Sequence, residues 1–398
     1  MENAFRTLIQ MRVLIVHNTL NDSRSVSGVL RHYGWMANEW RAAGHEVDFI
    51  AARCASTQIH DLAPQARLIS SDNIFDATKY LAQTWRYFPA YGLRLLTAHL
   101  LRLPYRYDVV YASTQLIVEV YAAMVLARRQ QAKFVAKVHH VLAAQPKRLG
   151  LFDRLFLWSE RRTTRWLNQR ADLILCGTQL VANDYNTLER SLGLVPRPIT
   201  SIGYGIDLSA IPFDENGKKN FDAVLLGRLH EHKGVFELPH IWREVVQHRP
   251  GAKVLIIGEG PHRQRMQEMF AELGMADLAV FTGGISEARK NEILGQARIG
   301  LSLSSEEGWG LSINEFLGSG LPVVAYELPI FGHVFPNQLD LVPLGDRAGA
   351  ARKILLLLAD EQLQRERGKT GREFVTRYDY RKVAKAELAA LTALFDKV

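Results

Sequence analysis

Met11-Arg12-Val13-Leu14-Ile15-Val16-His17, the run Leu30 to Ala43, and Gly44-His45-Glu46-Val47-Asp48-Phe49-Ile50-Ala51 follow one another near the start of the sequence and set its architecture. The first and last are apolar and β-branched on both faces, the pattern of a strand covered on both sides. Between them, Leu30, Tyr33, Gly34, Ala37, Trp40 and Arg41 fall on one helical stripe, and Gly44 is placed to end that helix. The three form a β-α-β unit. Similar runs recur between helix-length segments: Asp108 to Ala112, Phe134 to His139, Asp172 to Cys176, Ala223 to Leu226, Lys253 to Ile257, Ala279 to Thr282, Ile299 to Leu303 and Pro322 to Ala325. They predict α/β architecture with parallel sheets.

The alternation pauses at Ile206 to Asn220, where Pro212, Asn216, Gly217 and two lysines make a polar, turn-rich stretch. We place a boundary there, giving an N-terminal Rossmann-like domain over 1–211 and a C-terminal one over 212–378. A last helix follows over 379–398. A chain of 398 residues, 47% hydrophobic and 23% charged, holds more than one core normally accommodates, in keeping with two domains. Doubly wound domains bind ligands at the carboxyl ends of their strands, so functional loops are expected there, in two domains facing a central cleft.

Cys54 and Cys176 are far apart and form neither a disulfide framework nor a metal-binding spacing. Met1 to Gln10 carries Glu2 and Arg6 and lacks the apolar core of a secretory signal, and Met11 is an alternative start. The nearest approach to a membrane span, Val109 to Ala127, is interrupted by Glu119. A cytoplasmic location is expected.

The segment from Ser304 to Ala325 follows an apolar strand and holds Glu307-Gly308-Trp309-Gly310-Leu311-Ser312-Ile313-Asn314-Glu315, with Gly318 beyond. Glycines let a ligand approach the backbone, and free N–H groups at a helix start attract phosphate. Glu307 and Glu315 can accept hydrogen bonds from sugar and ribose hydroxyls. For Glu315 an alternative stays open, because Ser312-Ile313-Asn314-Glu315 also matches a helix capping box.

That string, followed by Gly320-Leu321-Pro322-Val323-Val324-Ala325, resembles the Glu-x7-Glu signature of family 4 glycosyltransferases of the GT-B fold. Gly44-His45-Glu46-Val47, Gly205-Ile206-Asp207, Gly227-Arg228-Leu229 with Lys233-Gly234, Gly258-Glu259-Gly260-Pro261 and Phe281-Thr282-Gly283-Gly284-Ile285 match further motifs in order. The resemblance implies a retaining transferase that moves a sugar from a nucleotide-sugar donor to a glycan or lipid-linked acceptor, with neither cofactor nor metal. It assigns Arg228 and Lys233 to the donor diphosphate, whose negative charge grows as the sugar departs. Gly227 belongs to the same loop, and Gly284 and Ile285 to the loop beside the base. Gly308, Trp309, Gly310, Leu311 and Ser312 line the donor with Glu307 and Glu315. It places His139, or else its neighbour His140, against the sugar. It also implies a last helix that crosses back to the first domain. Where the family commonly has two glycines before its first helix, this sequence has Ser27-Gly28, leaving Gly28 alone for close approach to the donor. Trp309 stands where phenylalanine is common.

The formal charge of +8 is uneven. Lys79 to Arg170 carries sixteen Lys and Arg against four Asp and Glu, so the remainder is net negative. Trp85, Tyr87, Phe88, Tyr91, Tyr105 and Tyr107 interleave with Arg86, Arg94, Arg102 and Arg106; Phe152, Phe156, Trp158 and Trp166 with Arg154, Arg161, Arg162 and Arg165. Two readings stand: an amphipathic surface that docks peripherally on an anionic inner membrane, or aromatics in the core under a solvated arginine face. No nucleic-acid recognition motif is present. A non-catalytic sugar-nucleotide-binding protein would leave the polar constellation idle. A nicotinamide-dependent oxidoreductase is disfavoured because His17 to Gly28 lacks G-x-G-x-x-G.

Overall fold

A computed structural model describes residues 10–18, 28–74, 87–144, 151–214 and 217–396. Glu2, Arg6, Ser27, Lys79, Trp85, Arg86 and Gly150, and the side chains of Cys54, Tyr87, Phe88 and Phe152, lie outside that description. The chain forms two compact units, one of residues 1–205 with 380–398, the other of Ile206–Asp379. Residues 206–211 therefore belong to the second unit. Ile206 accepts no place in the first because its N–H bonds the Tyr378 carbonyl at 2.8 Å and its backbone bridges Asp379. Ile206, Leu208 and Ile211 also close over Gly318, where a Cβ would meet them at 3.0–3.2 Å.

The first unit runs β1 (Arg12–His17), α1 (Gly28–Ala42), β2 (Glu46–Ala51), α2 (Arg53–Leu62), β3 (Arg67–Ser70), α3 (Tyr87–Leu100), β4 (Val109–Ala112), α4 (Ile117–Gln130), β5 (Lys133–Val138), α5 (Leu151–Arg170), β6 (Leu173–Cys176), α6 (Gln179–Ser191) and β7 (Thr200–Ser201). Its strands form a parallel sheet in the order β3-β2-β1-β4-β5-β6-β7. Alternation sends successive side chains to opposite faces. Val13, Ile15, Val47, Phe49, Val109 and Tyr111 pack with Leu30, Tyr33, Trp40 and Ile59 on one face. Leu14, Val16, Val110, Ala112 and Ala136 pack with Val120, Leu126, Leu167 and Tyr185 on the other.

The second unit runs β8 (Phe221–Leu226), α7 (Leu238–His248), β9 (Val254–Ile257), α8 (Arg263–Glu272), β10 (Ala279–Gly283), α9 (Glu287–Leu294), β11 (Ala297–Ser302), α10 (Leu311–Gly318), β12 (Val323–Tyr326), α11 (Pro329–Val334), β13 (Leu339–Val342), α12 (Arg347–Ala359) and α13 (Glu361–Val375). Its parallel sheet has the order β10-β9-β8-β11-β12-β13. The chain order reverses between β8 and β11, the switch point at which such sheets open a crevice.

The last helix, α14 (Tyr380–Thr392), packs on α1 of the first unit. Trp40 is fully buried and its Nε1 donates to the Ala384 carbonyl at 3.0 Å. Beneath it lies a charged cluster cut off from water: Glu387 of α14, Lys137 of β5 and His32 of α1. Lys137 Nζ donates to Glu387, and His32 Nε2 lies 3.0 Å from the same carboxylate. Tyr111 Oη donates to its second oxygen at 3.2 Å. Burial opposes the charge on Glu387, but Lys137 and His32 outweigh it and hold the carboxyl down to about 2.

Candidate functional site

In the second unit, the predicted functional residues gather at the carboxyl ends of β8 and β11. After β8 the chain turns through Gly227, with φ +151°, and folds a single helical turn over Glu231–Lys233. Gly234 ends that turn at φ +73°, and a Cβ there would lie 2.3 Å from the Leu303 carbonyl oxygen. Only glycine allows this contact, and it seats the basic loop on the end of β11. Behind Gly227, Gly258 comes so close that a Cβ on it would lie 1.9 Å from the Gly227 carbonyl oxygen. The space in front of Gly227 is open, with nothing within 4 Å of where a Cβ would stand.

The loop presents two cations. Arg228 is exposed, and its guanidinium has no hydrogen-bond or ion-pair partner among the described residues. Lys233 Nζ donates to Glu307, which also accepts from Ser304 Oγ at 2.8 Å. The Ser305 N–H bonds the His232 carbonyl at 2.9 Å, tying the loops after β8 and β11 together. His230 and His232 stand between the cations with Nδ1 atoms 3.0 Å apart. Burial, then Lys233, His230 and Arg228, push the His232 imidazole down to about 4, so it is neutral.

From Glu307 the chain passes Gly308 and Trp309, whose ring is buried edge-on to Tyr378 at 5.1 Å. Gly310, at φ +99°, starts α10, its carbonyl accepting from Ile313 and Asn314 at 2.9 and 3.2 Å. Leu311 and Ser312 thus occupy the first turn, where N–H groups lack helical acceptors. Ser312 lies inside the helix, so it is not the cap of a capping box; the Glu315 carboxylate instead accepts from Lys290 of α9. Lys290 also reaches Glu287 at 2.8 Å. Gly284 and Ile285 follow β10 at the sheet edge, where the Gly283 carbonyl accepts from Gly258 N–H at 3.1 Å.

In the first unit, Gly28 is the first residue of α1. His139 follows β5 with both ring nitrogens engaged: Nε2 lies 2.7 Å from the Ser113 carbonyl and Nδ1 meets Tyr204 Oη. A carbonyl only accepts, so Nε2 carries the proton and Nδ1 takes the Tyr204 hydroxyl hydrogen. Burial pushes the imidazole down to about 3 despite the Ser113 bond, keeping it neutral. The expected free donor for a sugar hydroxyl is therefore spent inside the unit. The His140 carbonyl accepts from Gln115 Nε2 at 2.7 Å. Sequence reasoning missed Ser304, three residues before Glu307, and also Lys290 and Tyr204, which act across 25 and 65 residues and leave no periodic trace.

The basic aromatic stretch divides. Tyr107 and Arg94 are buried, with Tyr107 Oη donating to Asp48 at 2.7 Å, and Trp166 packs on Tyr121. Leu96 and Leu100 of α3, and Leu155, Phe156 and Trp158 of α5, are exposed. No helix among the described residues is long and apolar enough to cross a membrane.

Two Rossmann-like α/β domains, the second with a glycine-backed basic loop joined to an acidic loop at its switch point, define the GT-B class. Two family models divide the chain between them: Glycosyltransferase Family 4 over residues 26–210 and Glycosyl transferases group 1 over 210–374. The chain belongs to the family 4 glycosyltransferases. Among curated relatives, a sulfoquinovosyl transferase of Arabidopsis thaliana is 25% identical over 69% of this chain and 54% of its own length. A phosphatidyl-myo-inositol mannosyltransferase of Mycobacterium leprae is 29% identical over 40% and 43%. The chain thus spans about half the length of these relatives. Anabaena HepE, solved with UDP and glucose, matches the fold at a TM-score of 0.74 and 17% identity, covering 96% of this chain and all of that one.

Proposed function

We propose that this protein is a retaining, metal-independent hexosyltransferase. It moves a sugar from a UDP-sugar or GDP-mannose to a glycan or lipid-linked acceptor in cell-surface polysaccharide or lipopolysaccharide synthesis. The observation that carries the reading is the joined pair Lys233 and Glu307, beside an exposed Arg228 and in front of side-chain-free Gly227. An incoming diphosphate takes Lys233 and Arg228, and the released Glu307 carboxylate turns to the sugar hydroxyls. Both cations gain most as the bond from the anomeric carbon to the diphosphate oxygen breaks and charge builds on that oxygen. The acceptor oxygen bonds the anomeric carbon on the same face, and its proton passes to the leaving phosphate. Leu311 and Ser312 N–H groups, at the positive end of α10, supply further donors to anionic or hydroxyl groups. We assign His139 no free N–H for a sugar hydroxyl, since Ser113 and Tyr204 pin its neutral ring.

A panel of UDP-, GDP- and ADP-sugars in thermal-shift measurements tests the donor, because a ligand stabilises the folded state in proportion to affinity and concentration. Nucleoside diphosphate release with Lys233→Ala tests the site; unchanged turnover removes Lys233 from the reaction.

The exposed Leu96, Leu100, Phe156 and Trp158, set among Arg102, Arg154, Arg161 and Arg162, support peripheral docking on an anionic membrane to reach a lipid-linked acceptor. Co-sedimentation with anionic and neutral vesicles checks this. Equal partitioning on both, or none on either, rejects it.

A further inference from the structure

The amino ends of β8, β11 and β12 lie at the opposite edge of the second sheet from Gly227 and Ser304, since all its strands are parallel. There a cavity of about 260 Å³ opens between the segment leading into β8 and the start of α13. Four cations line it: Lys219, Arg298, Arg365 and Lys369. Two carboxylates, Asp214 and Glu361, accompany them, leaving a surplus of two positive charges.

The carboxylates are unevenly shared. Glu361 serves two guanidiniums, Arg298 at 3.1 Å and Arg365 at 3.9 Å. Lys219 Nζ donates to a carbonyl, that of Gly295 at 2.8 Å, rather than to a carboxylate. Burial and the neighbouring Arg298 push its ammonium down, with Asp214 pulling weakly the other way. The Lys369 ammonium has no hydrogen bond or ion pair among the described residues. Like charges crowded into a partly desolvated hollow repel one another, and a dianion relieves that repulsion through charge-assisted hydrogen bonds. Phe213 and Pro322 supply an apolar wall. The Phe213 ring is fixed there by Gly320, where a Cβ would stand 2.3 Å from it, and by Arg372 at 4.7 Å from its centroid.

We propose that this cavity is a second anion site of the unit, apart from the Arg228 and Lys233 loop, and that it takes a small phosphate monoester. The volume suits a ligand no larger than a sugar phosphate, the charge surplus matches a phosphate monoester dianion, and the ring of Phe213 offers a face to the body that carries it. The site stands independently of the transferase reading, because none of its residues belongs to the donor cluster.

Thermal shift and calorimetry on the full chain test it, with inorganic phosphate and glucose 6-phosphate as probes at constant ionic strength. Arg228→Ala/Lys233→Ala serves as the background, so that the donor loop contributes nothing. Saturable stabilisation by phosphate is expected to persist in that background, with glucose 6-phosphate binding more tightly. Adding Lys219→Met and Lys369→Met is expected to weaken both at least tenfold. If the four-site variant fails to fold, Lys369→Met alone, on an exposed position of α13, is expected to weaken binding severalfold. Binding lost with Arg228→Ala/Lys233→Ala, retained after the lysines are removed, or rising without saturation as sodium chloride does, overturns the proposal.

Discussion

Glu387→Gln provides a sharp test of how the first unit is held together. The carboxylate is inaccessible, as is Lys137, and His32 is nearly so. Holding a carboxyl from its ordinary 4.5 down to about 2 is worth at most about 3 kcal/mol, and burial, which pushes the Lys137 ammonium and the His32 imidazole down as well, offsets part of it. The substitution keeps size and shape but leaves the Lys137 ammonium buried without its counter-charge, a change that costs about 3–5 kcal/mol in buried pairs. Replacing both ends, as Lys137→Met/Glu387→Leu, removes the uncompensated charge and is expected to recover most of that loss. Urea unfolding at neutral pH reads both numbers, and hydrogen exchange over Tyr380–Thr392 shows whether α14 opens first. A Glu387→Gln loss under 1 kcal/mol, or a double variant no better than the single, refutes the reasoning. In the native protein this contribution is complete above about 4.5 and disappears as the pH falls through about 2.

Other outcomes follow from the same geometry. Lys233→Ala is expected to lower nucleoside diphosphate release by about a hundredfold or more while leaving the unfolding midpoint within a few degrees, as turnover assays and calorimetry can show. His17 is buried and its imidazole is pushed down to about 4 by burial, so the unfolded chain takes up a proton that the folded chain refuses. The resulting stability is whole above about 6.5 and lost as the pH falls toward 4, a change on the order of 3 kcal/mol that His17→Gln should flatten in unfolding titrations. Gly234→Ala places a methyl group against the Leu303 carbonyl at positive φ and is expected to cost about 2 kcal/mol or more and to weaken nucleotide-sugar binding in calorimetry.

The central strands were legible because each is buried on both faces and reads as an apolar run. The three that the sequence hid, β3, β7 and β13, are all sheet edges. Arg67-Leu68-Ile69-Ser70 and Thr200-Ser201 are half-exposed or exposed, so neither needs a continuous apolar pattern. The loops bearing Arg228, Lys233 and Glu307 could be read because glycine and charge punctuate them at fixed spacing. The partners of Glu315 and His139 could not. Lys290 looks like any lysine on a surface helix, and Tyr204 lies 65 residues from the ring it holds. Only folding brings such groups together. The capping alternative for Glu315 failed for a related reason: the left-handed Gly310 starts the helix two residues before Ser312.

The return of α14 to the first unit has a consequence for synthesis. On the ribosome, Lys137 and Trp40 emerge early, yet the carboxylate and the carbonyl that satisfy them arrive only after the whole second unit has been made. Until then the first sheet stands with one flank open and an ammonium lacking its counter-ion. Gly205 and Tyr380 meet so closely that a Cβ on the glycine would lie 2.4 Å from the tyrosine Cα. The second unit is therefore a module spliced between two touching points of the first. It is placed to fold while its host still waits for its closing helix.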